Sequence, residues 1–309
     1  MSALTELFTN IANAIRTKKG TSAEIQASSF PTEIANLPTW EEYFEANYGG
    51  TDTSTPNGSY GFARAVKKIP PLTFPSNYTS MSYLFSNLGS VDNISLENFH
   101  TANVTNMSYC FSDCMKLTTI NLQPIQITNK VTTMASAFYN CQSLETITWA
   151  GTMDTSNLSG MSALFSNCYS LPSVDLSVFS TAKVTSFTSL FVGCRSLETI
   201  DFGENFSGIK CTNIASAFTG CSALTTITGN IKDLGAGYTS STTNYTNYKL
   251  DLSSCTSLTK ASINNMINGL YDLATAGKPR QSLVLGSTNL SKLSSSEIAV
   301  ATNKGWNVS

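Results

Sequence analysis

The apolar residues of this chain return at a fixed period over most of its length. A Phe is followed three residues later by a Cys, and an aliphatic residue stands three positions after that Cys. The cysteines of the five clearest copies are Cys114, Cys141, Cys168, Cys194 and Cys221, at steps of 27, 27, 26 and 27 residues. A constant step in this range is typical of a solenoid, in which each repeat forms one coil and packs against its neighbours.

The first half of each copy has the apolar spacing of a short helix. Met107, Phe111 and Cys114 are separated by four and then three residues, which places them on one helical face. Thr105 or Asn106 stands where a helix N-cap belongs, because either side chain can accept a hydrogen bond from a backbone N–H of the first turn. The pattern therefore predicts a short helix here and in the equivalent segment of every coil.

The second half of each copy has the alternation of a strand. Ile120 and Leu122 flank polar Asn121, and residues two apart lie on the same face of a strand. The same alternation predicts parallel strands at 91–96, 118–122, 145–149, 172–176, 198–202 and 225–228. The expected fold is an α/β solenoid of the leucine-rich-repeat type with about 26–27 residues per coil, a parallel β-sheet on one face and short helices on the other.

The repeat frame extends beyond the five clear copies. Leu88 takes the cysteine place in an earlier copy, and Cys255 with Leu258 restores the frame after an insertion at Gly229–Tyr248. A C-terminal cap then follows, with a helix from Ser262 to Gly277, a strand at Ser282–Gly286, a helix at Ser294–Lys304 and a sealing Trp306. The predicted organisation is a helical attachment module at 1–40, a connector and N-terminal cap rich in aromatic residues, Pro and Gly at 41–78, leucine-rich repeats at 79–260 and the C-terminal cap at 261–309.

The repeat resembles those of a known family. A Cys preceded by Met-x-x-x-Phe and followed by Ser-Leu-x-x-Ile-x-Leu is similar to the BspA-like leucine-rich repeats of bacterial surface proteins, as is the connector Thr101-Ala-Asn-Val-Thr-Asn-Met107. The likeness covers about residues 79–260 and recurs in register. It implies the function of an adhesin or another surface-interaction protein, whereas the spacing alone indicates only a solenoid.

The N-terminal segment carries a second resemblance. Its apolar residues form one face of an amphipathic helix, from which Leu7, Ile11 and Ile15 are predicted to make an attachment surface. The pattern Leu-Thr-x-Leu-x-x-x-Ile-Ala-Asn-Ala-Ile-Arg, with Phe30-Pro31 further on, looks like a short module of phage structural proteins. That resemblance implies a virion protein assembled in the host cytoplasm, in keeping with the lack of a secretory signal pattern. The alternative is a helical hairpin that caps the solenoid.

Composition removes several function classes. Charged residues make up 12% of the chain and the net charge is −2, so electrostatics give no case for binding nucleic acid or an anionic membrane surface. No run of the sequence approaches the roughly 18 apolar residues of a membrane span, so no membrane insertion is expected. The repeated cysteines are expected to be buried and reduced, because Leu88 shows that their position accepts an apolar group. A single histidine, His100, and the absence of Cys-x-x-Cys predict neither a metal nor a cofactor.

The predicted binding residues lie on the exposed face of the strands. They are the polar side chains Asn93, Thr119, Asn121, Thr146, Thr148, Ser173, Asp175, Thr199, Asp201 and Thr226. Asp175 and Asp201 are expected on adjacent strands about 5 Å apart, the separation of the two carboxyl groups in a retaining glycosidase. No nearby base or metal cluster accompanies this pair, so we expect no enzymatic activity.

These observations favour a non-enzymatic surface-binding protein. With the two resemblances, the expectation is a bacteriophage virion protein, of the tail or a fibre, that contacts a protein or glycan of the host surface. Residues 1–40 would then bind other virion proteins. A structural decoration protein of the capsid or tail and a bacterial surface adhesin remain as alternatives, and the prediction leaves open a homo-oligomer.

Overall fold

The computed structural model describes residues 79–97, 99–150, 152–238 and 248–309. The strands within them are β1 (Thr119–Asn121), β2 (Gln126–Ile127), β3 (Thr146–Thr148), β4 (Thr152–Met153), β5 (Ser173–Asp175), β6 (Thr199–Asp201), β7 (Thr226–Thr228), β8 (Lys249–Asp251), β9 (Gln281–Val284) and β10 (Trp306–Val308). The helices are α1 (Lys260–Asn268), α2 (Gly286–Leu290) and α3 (Ser295–Asn303). The predicted attachment residues Leu7, Ile11 and Ile15 lie outside the described residues.

The strand pairs of the described residues are parallel, as the repeat predicts. β1 pairs with β3, β2 with β4, and β6 lies between β5 and β7, while β9 lies between β8 and β10. Residues at the same repeat position pair across coils, so successive coils stack side by side in a solenoid-like fold. Five of the six predicted strands are confirmed, each as a core of three residues.

The predicted strand at 91–96 is wrong. These residues lie in the first described coil but outside every strand. Asp92 and Asn93 precede Ile94 there, whereas Glu198 and Thr199 precede the isoleucine of a later coil. Asp and Asn are depleted in strands, which accounts for the loss of the ladder at this position.

The sheet of the repeats is also interrupted, between β3 and β5. Glu145 donates its backbone N–H to Thr118 in the preceding coil at 2.8 Å, and Glu198 donates to Pro172 at 2.8 Å. Pro172 stands between them in the stack and has no N–H to donate to Glu145. The indole Nε1 of Trp149 donates to the Asp175 carbonyl at 3.1 Å. In other coils the equivalent carbonyl accepts a backbone N–H instead, as Thr148 O does from Leu122 at 2.8 Å.

The predicted helices of the repeats are wrong. In their place the chain forms consecutive turns whose backbone bonds alternate between the same coil and the next coil. Cys110 N–H donates to Met107 O at 3.3 Å within the coil, while Phe111 N–H donates to Ala137 O in the next coil at 2.8 Å. The side chain of Asn106 does bind a nearby N–H, that of Ser108 at 2.8 Å, but it closes a turn and does not cap a helix.

These turns depend on residues with positive φ at two fixed positions of each coil. Asn87, Asp113, Asn140 and Asn167 take the second position, and Gly193 and Gly220 take it in later coils. Asn, Asp and Gly are the residues that adopt the left-handed region at the lowest cost. An uninterrupted helix cannot contain these φ values, so the spacing of Met, Phe and Cys was a misleading helix signal.

The phenylalanines of the repeat stack in a buried column. Ring centroids are 5.5 Å apart for Phe85 and Phe111, 5.3 Å for Phe111 and Phe138, 5.9 Å for Phe138 and Phe165, 5.6 Å for Phe165 and Phe191, and 5.8 Å for Phe191 and Phe218. The rings of the first four pairs are parallel to within 7°, which follows from the identical position of each ring in its coil. This column forms the centre of the core.

Each ladder cysteine uses its thiol as a hydrogen-bond donor to this column. The acceptor is the backbone carbonyl of the phenylalanine one coil earlier, at 3.0 Å for Cys114 to Phe85, 3.0 Å for Cys141 to Phe111, 3.1 Å for Cys168 to Phe138, 3.0 Å for Cys194 to Phe165, 3.1 Å for Cys221 to Phe191 and 3.5 Å for Cys255 to Phe218. The carbonyls of Phe111, Phe138, Phe165, Phe191 and Phe218 also accept a backbone N–H from their own coil, as in Cys168 to Phe165 at 3.1 Å. Both lone pairs of a buried carbonyl are thereby used.

Burial makes these thiols poor nucleophiles. All eight cysteines are buried with free thiols, which confirms the predicted burial of the ladder cysteines. Burial away from water raises the pKa of Cys114 and of Cys194 to about 12, because the thiolate is disfavoured in an apolar surrounding. The ladder therefore has a packing role.

The C-terminal cap begins where α1 replaces the strand of the last coil. Thr259 is the N-cap, and its side chain accepts the Ser262 N–H. The Ser262 hydroxyl accepts the Ile227 N–H at 3.0 Å, and Asn265 Nδ2 donates to Ile227 O at 3.3 Å. Side chains of the helix thus satisfy the open edge of β7, which would otherwise pair with another chain.

The remaining cap predictions are partly correct. The final helix is confirmed as α3, with Ser294 as its N-cap, and Trp306 is fully buried as predicted. The helix predicted from Ser262 to Gly277 is wrong at both ends, since α1 starts at Lys260, two residues before Ser262, and ends at Asn268, nine residues before Gly277. Lys304 Nζ donates to Asn268 O at 2.7 Å and supplies the positive charge that the end of α1 lacks.

The buried column gives a first test by truncation. Phe165→Ala removes a ring that stacks on both sides, and such changes cost about 3–5 kcal/mol of unfolding free energy. Thr146→Ala on the exposed side of β3 is the control, with an expected change within about 0.5 kcal/mol. Urea unfolding followed by circular dichroism measures both, and equal shifts of the two variants would contradict the stacked core.

The thiols give a pH test. Their pKa is raised in the folded chain, so above a pH of about 9 the folded state binds more protons than the unfolded state and stability falls as pH rises. Cys114 and Cys194 should each contribute about 1.4 kcal/mol per pH unit between their unfolded pKa and about 12. In urea titrations from pH 8 to pH 11, the double change of both residues to Ala should flatten the decline by about 2.7 kcal/mol per unit. An unchanged slope would contradict buried neutral thiols.

Candidate binding surface

The predicted binding residues on β1 and β3 lie together on one exposed face. Thr119 pairs in register with Thr146, and Asn121 pairs with Thr148. All four side chains are exposed, while Ile120, which stands between Thr119 and Asn121 in β1, is buried. Because neighbouring strands lie about 4.8 Å apart, the two coils present a compact group of hydroxyl and amide groups.

The residues on β5, β6 and β7 form a second group with the same organisation. Ser173, Thr199 and Thr226 form one row across the three strands, and Asp175, Asp201 and Thr228 form the other. These side chains are exposed except for Thr226, which is half-buried. We call both groups together the strand face, and it is divided in two by the interruption at Pro172.

The structure does not bring every predicted residue into these rows. Asn93 is exposed, but it belongs to the coil without a strand and has no register partner in the sheet. Thr228 was outside the predicted set, although it occupies the same repeat position as Asp175 and Asp201. Its hydroxyl donates to Asp201 Oδ1 at 3.0 Å, so it is part of the same polar network.

The Asn or Asp that ends β1, β5 or β6 also closes the turn that follows its strand. Asn121 Oδ1 accepts the Gln123 N–H at 3.0 Å, Asp175 Oδ1 accepts the Ser177 N–H at 2.8 Å, and Asp201 Oδ1 accepts the Gly203 N–H at 3.0 Å. This is the hydrogen bond by which Asn and Asp favour turns. Sequence reasoning missed this role, although the preference of turns for Asn and Asp was a usable signal.

This geometry bears on the glycosidase hypothesis for Asp175 and Asp201. The two residues are register partners on β5 and β6, as predicted. A retaining glycosidase needs one protonated and one ionised carboxyl group, held apart by different surroundings. Here both carboxylates are exposed and both accept a backbone N–H from a turn, and Asp201 also accepts the Thr228 hydroxyl. Neither lies in the apolar surrounding that would favour the protonated form of one of them. The pair is better suited to accepting hydrogen bonds than to acid–base catalysis.

The described residues contain no group of three or more His, Cys, Asp or Glu side chains placed to hold a metal ion. His100 lines a surface depression of about 110 Å³ together with Phe99, Thr101, Ala102, Pro124 and Gln126, which is too small for the usual small-molecule site. Among the helices described, none has the length and apolar character to span a membrane.

Two variants at one position test the turn role of Asp201. Asp201→Ala removes the acceptor for both Gly203 N–H and the Thr228 hydroxyl, and should lower the unfolding free energy by about 1 kcal/mol. Asp201→Asn keeps an oxygen in place and should retain most of it. Chemical unfolding distinguishes the two, and equal stability of the Ala and Asn variants would show that the turn bond is dispensable.

The chain is similar to a leucine-rich cell surface protein from Faecalibacterium prausnitzii, at 20% identity and a TM-score of 0.26. The aligned part covers 51% of this chain and 59% of that protein, so the chain matches less than two thirds of its length. No curated protein matches the chain.

One family model gives a direct assignment. The family described as "Mycoplasma protein of unknown function, DUF285" matches residues 74–146 and 118–231. The two matches overlap and together span residues 74–231, more than half of the 309 residues. They contain all five clear copies of the repeat and every strand from β1 to β7. The chain belongs to the DUF285 family.

Proposed function

We propose that this chain is a non-enzymatic binding protein that recognises a polar partner, a surface glycan or protein, through its strand face. The observation that carries the proposal is the pair of exposed polar groups on β1–β3 and β5–β7. Their side chains are hydroxyls, amides and carboxylates held in register on a stacked core. They form an open face, which suits a macromolecule better than a small substrate.

The stacked core supports recognition by pre-organising these groups. Every strand of the face pairs with a strand of a neighbouring coil. Buried isoleucine or valine lies beneath the polar residues of four of the five strands, as Ile200 does beneath the Thr199–Asp201 pair. A side chain that is already ordered loses little conformational entropy when a partner binds. Threonine and serine add to this because they are short and can both donate and accept hydrogen bonds.

The setting that we propose is a bacteriophage virion, in the tail or a fibre. Its support is the resemblance of the N-terminal segment to modules of phage structural proteins. In this proposal residues 1–40, with Leu7, Ile11 and Ile15, bind other virion proteins, and the strand face contacts the host cell. A structural decoration protein and a bacterial surface adhesin are the alternatives, and the first of these would not need the strand face.

The binding test changes residues of the strand face that have no turn bond. Thr146, Ser173 and Thr199 are replaced together by Lys, which places three bulky cations where a partner would fit. The control replaces exposed Ser222, Asn205 and Thr256 by Lys and adds the same charge elsewhere. Binding to an array of immobilised bacterial surface polysaccharides and to intact bacterial cells is measured for each. We expect the strand-face variant to bind at least about tenfold more weakly than the control.

Two results would count against the proposal. Equal binding by both variants would remove the strand face as the recognition surface. Binding that survives in both, with loss of incorporation into phage particles when residues 1–40 are deleted, would favour the decoration protein. Circular dichroism of every variant shows whether the fold is retained.

A further inference from the structure

A second surface of the solenoid carries a row of lysines. We call it the connector edge, and it consists of residues 101–105, 128–132, 155–159, 181–185 and 208–212, which lead from each strand toward the turns of the next coil. Lys130, Lys183 and Lys210 take the same repeat position in this edge, and all three are exposed. Asparagines take that position in the two remaining coils. The row lies outside the strand face.

Neutral groups hold two of these lysines in line. Lys130 Nζ donates to Asn103 Oδ1 at 2.5 Å, and Lys183 Nζ donates to Asn157 Oδ1. An amide oxygen positions an ammonium group without cancelling its charge. The ion pairs found in the described residues involve lysines near the C-terminal cap and none of this row. The row therefore keeps its positive charge.

Two lysines of the row lie on adjacent coils. The backbones of the Lys183 and Lys210 coils are about 5 Å apart, so like charges are concentrated along this part of the edge. Asp154, which directly precedes the edge in its coil, uses Oδ1 to accept the Ser156 N–H at 3.1 Å. A polyanion bound along the row would be attracted by several positive charges at once.

A column of hydroxyl groups runs beside the lysines, two residues further along each connector. Each donates its hydrogen to a backbone carbonyl of the preceding coil, at 3.0 Å for Thr105 to Thr79, 3.2 Å for Thr132 to Thr105, 3.1 Å for Ser159 to Thr132, 3.4 Å for Thr185 to Ser159 and 3.2 Å for Thr212 to Thr185. With its hydrogen engaged, each oxygen offers acceptor lone pairs to a ligand. Between each lysine and its hydroxyl residue stands one buried side chain, Val131, Val184 or Cys211, while the residues on both sides of it are exposed. Ammonium groups and acceptors therefore lie on the same exposed surface.

We infer that the connector edge binds a linear acidic polysaccharide. Its carboxylate or sulfate groups meet the lysine row, and its sugar hydroxyls donate to the threonine oxygens. One pyranose ring is close in length to one coil, so successive sugars meet successive coils. A polyphosphate or a nucleic-acid backbone matches less well, because it offers acceptors along its length and the hydroxyl column has no hydrogens left to give.

The test measures binding of the full chain to polygalacturonate, which has one carboxylate per sugar. Neutral dextran and inorganic polyphosphate are the comparison polymers. We expect binding to polygalacturonate that weakens as salt rises and no binding to dextran. Changing Lys130, Lys183 and Lys210 to Gln should weaken it by at least about tenfold, since each removes an electrostatic contact. Changing Lys116, Lys260 and Arg280 to Gln removes the same charge elsewhere and should leave it within about twofold.

A second pair of changes tests the acceptor column. Thr132→Val and Thr185→Val keep the side-chain shape and the inter-coil backbone bonds, Thr132 N–H to Thr105 O at 2.9 Å and Thr185 N–H to Ser159 O at 3.0 Å. They remove the oxygens that a sugar hydroxyl would reach. The double variant should bind polygalacturonate several-fold more weakly and bind polyphosphate unchanged.

Four results would overturn the inference. The first is no measurable binding of the unmodified chain to polygalacturonate, and the second is an equal loss in the control lysine variant. The third is polyphosphate bound as tightly as polygalacturonate with no effect of the valine changes, which would indicate a general anion surface. The fourth is self-association of the full chain at low salt that the Gln changes abolish, which would make the edge an interface between copies.

Discussion

The hydrogen bond from each ladder thiol to a phenylalanine carbonyl of the preceding coil is the contact on which the stack depends. A buried carbonyl such as Phe138 O accepts one backbone N–H from its own coil, and the thiol of the next coil binds its second lone pair. Cysteine is small, apolar enough for a core, and still a weak donor. An aliphatic residue such as Leu or Ala could occupy the same position, but it would leave the second lone pair of carbonyls such as Phe138 O without a partner. The phenylalanine column can stack so regularly because this bond repeats at each coil.

The sequence pattern was sufficient for the long-range organisation. The period, the parallel strands, the inward position of Ile120 and Ile200, and the buried cysteine column all follow from residues that recur in register. These features depend on which side chains are apolar, and burial of apolar side chains is the dominant favourable term in folding. The same alternation of apolar and polar residues also predicted which side chains of the strands point outward.

The local backbone was harder to predict, since different backbones can bury the same side chains. Met107, Phe111 and Cys114 fit a helical face by spacing, yet the residue before the cysteine is Asp113 with a φ of 60°. The recurrent Asn, Asp or Gly at that position was the overlooked evidence. Likewise Pro172 gave a readable warning of a break in the sheet, whereas the insertion of the Trp149 indole onto the Asp175 carbonyl depends on three-dimensional fit. The turn bonds of Asp175 and Asp201 were hidden because exposed carboxylates were interpreted by their chemistry alone.

The interruption at Pro172 affects only one side of the stack. The strand side lacks a ladder between β3 and β5, while the thiol bond from Cys168 to Phe138 and the backbone bond from Phe138 N–H to Leu164 O, at 3.0 Å, cross the same boundary intact. On the strand side the bond from Trp149 Nε1 to Asp175 O takes the place of the missing ladder. A side held by fewer hydrogen bonds yields more easily than one held by many, so this boundary is more compliant on its strand side than on its core side. The spacing between the two polar groups of the strand face can therefore adjust here with less disturbance of the phenylalanine column, which lets a partner of somewhat variable length engage both.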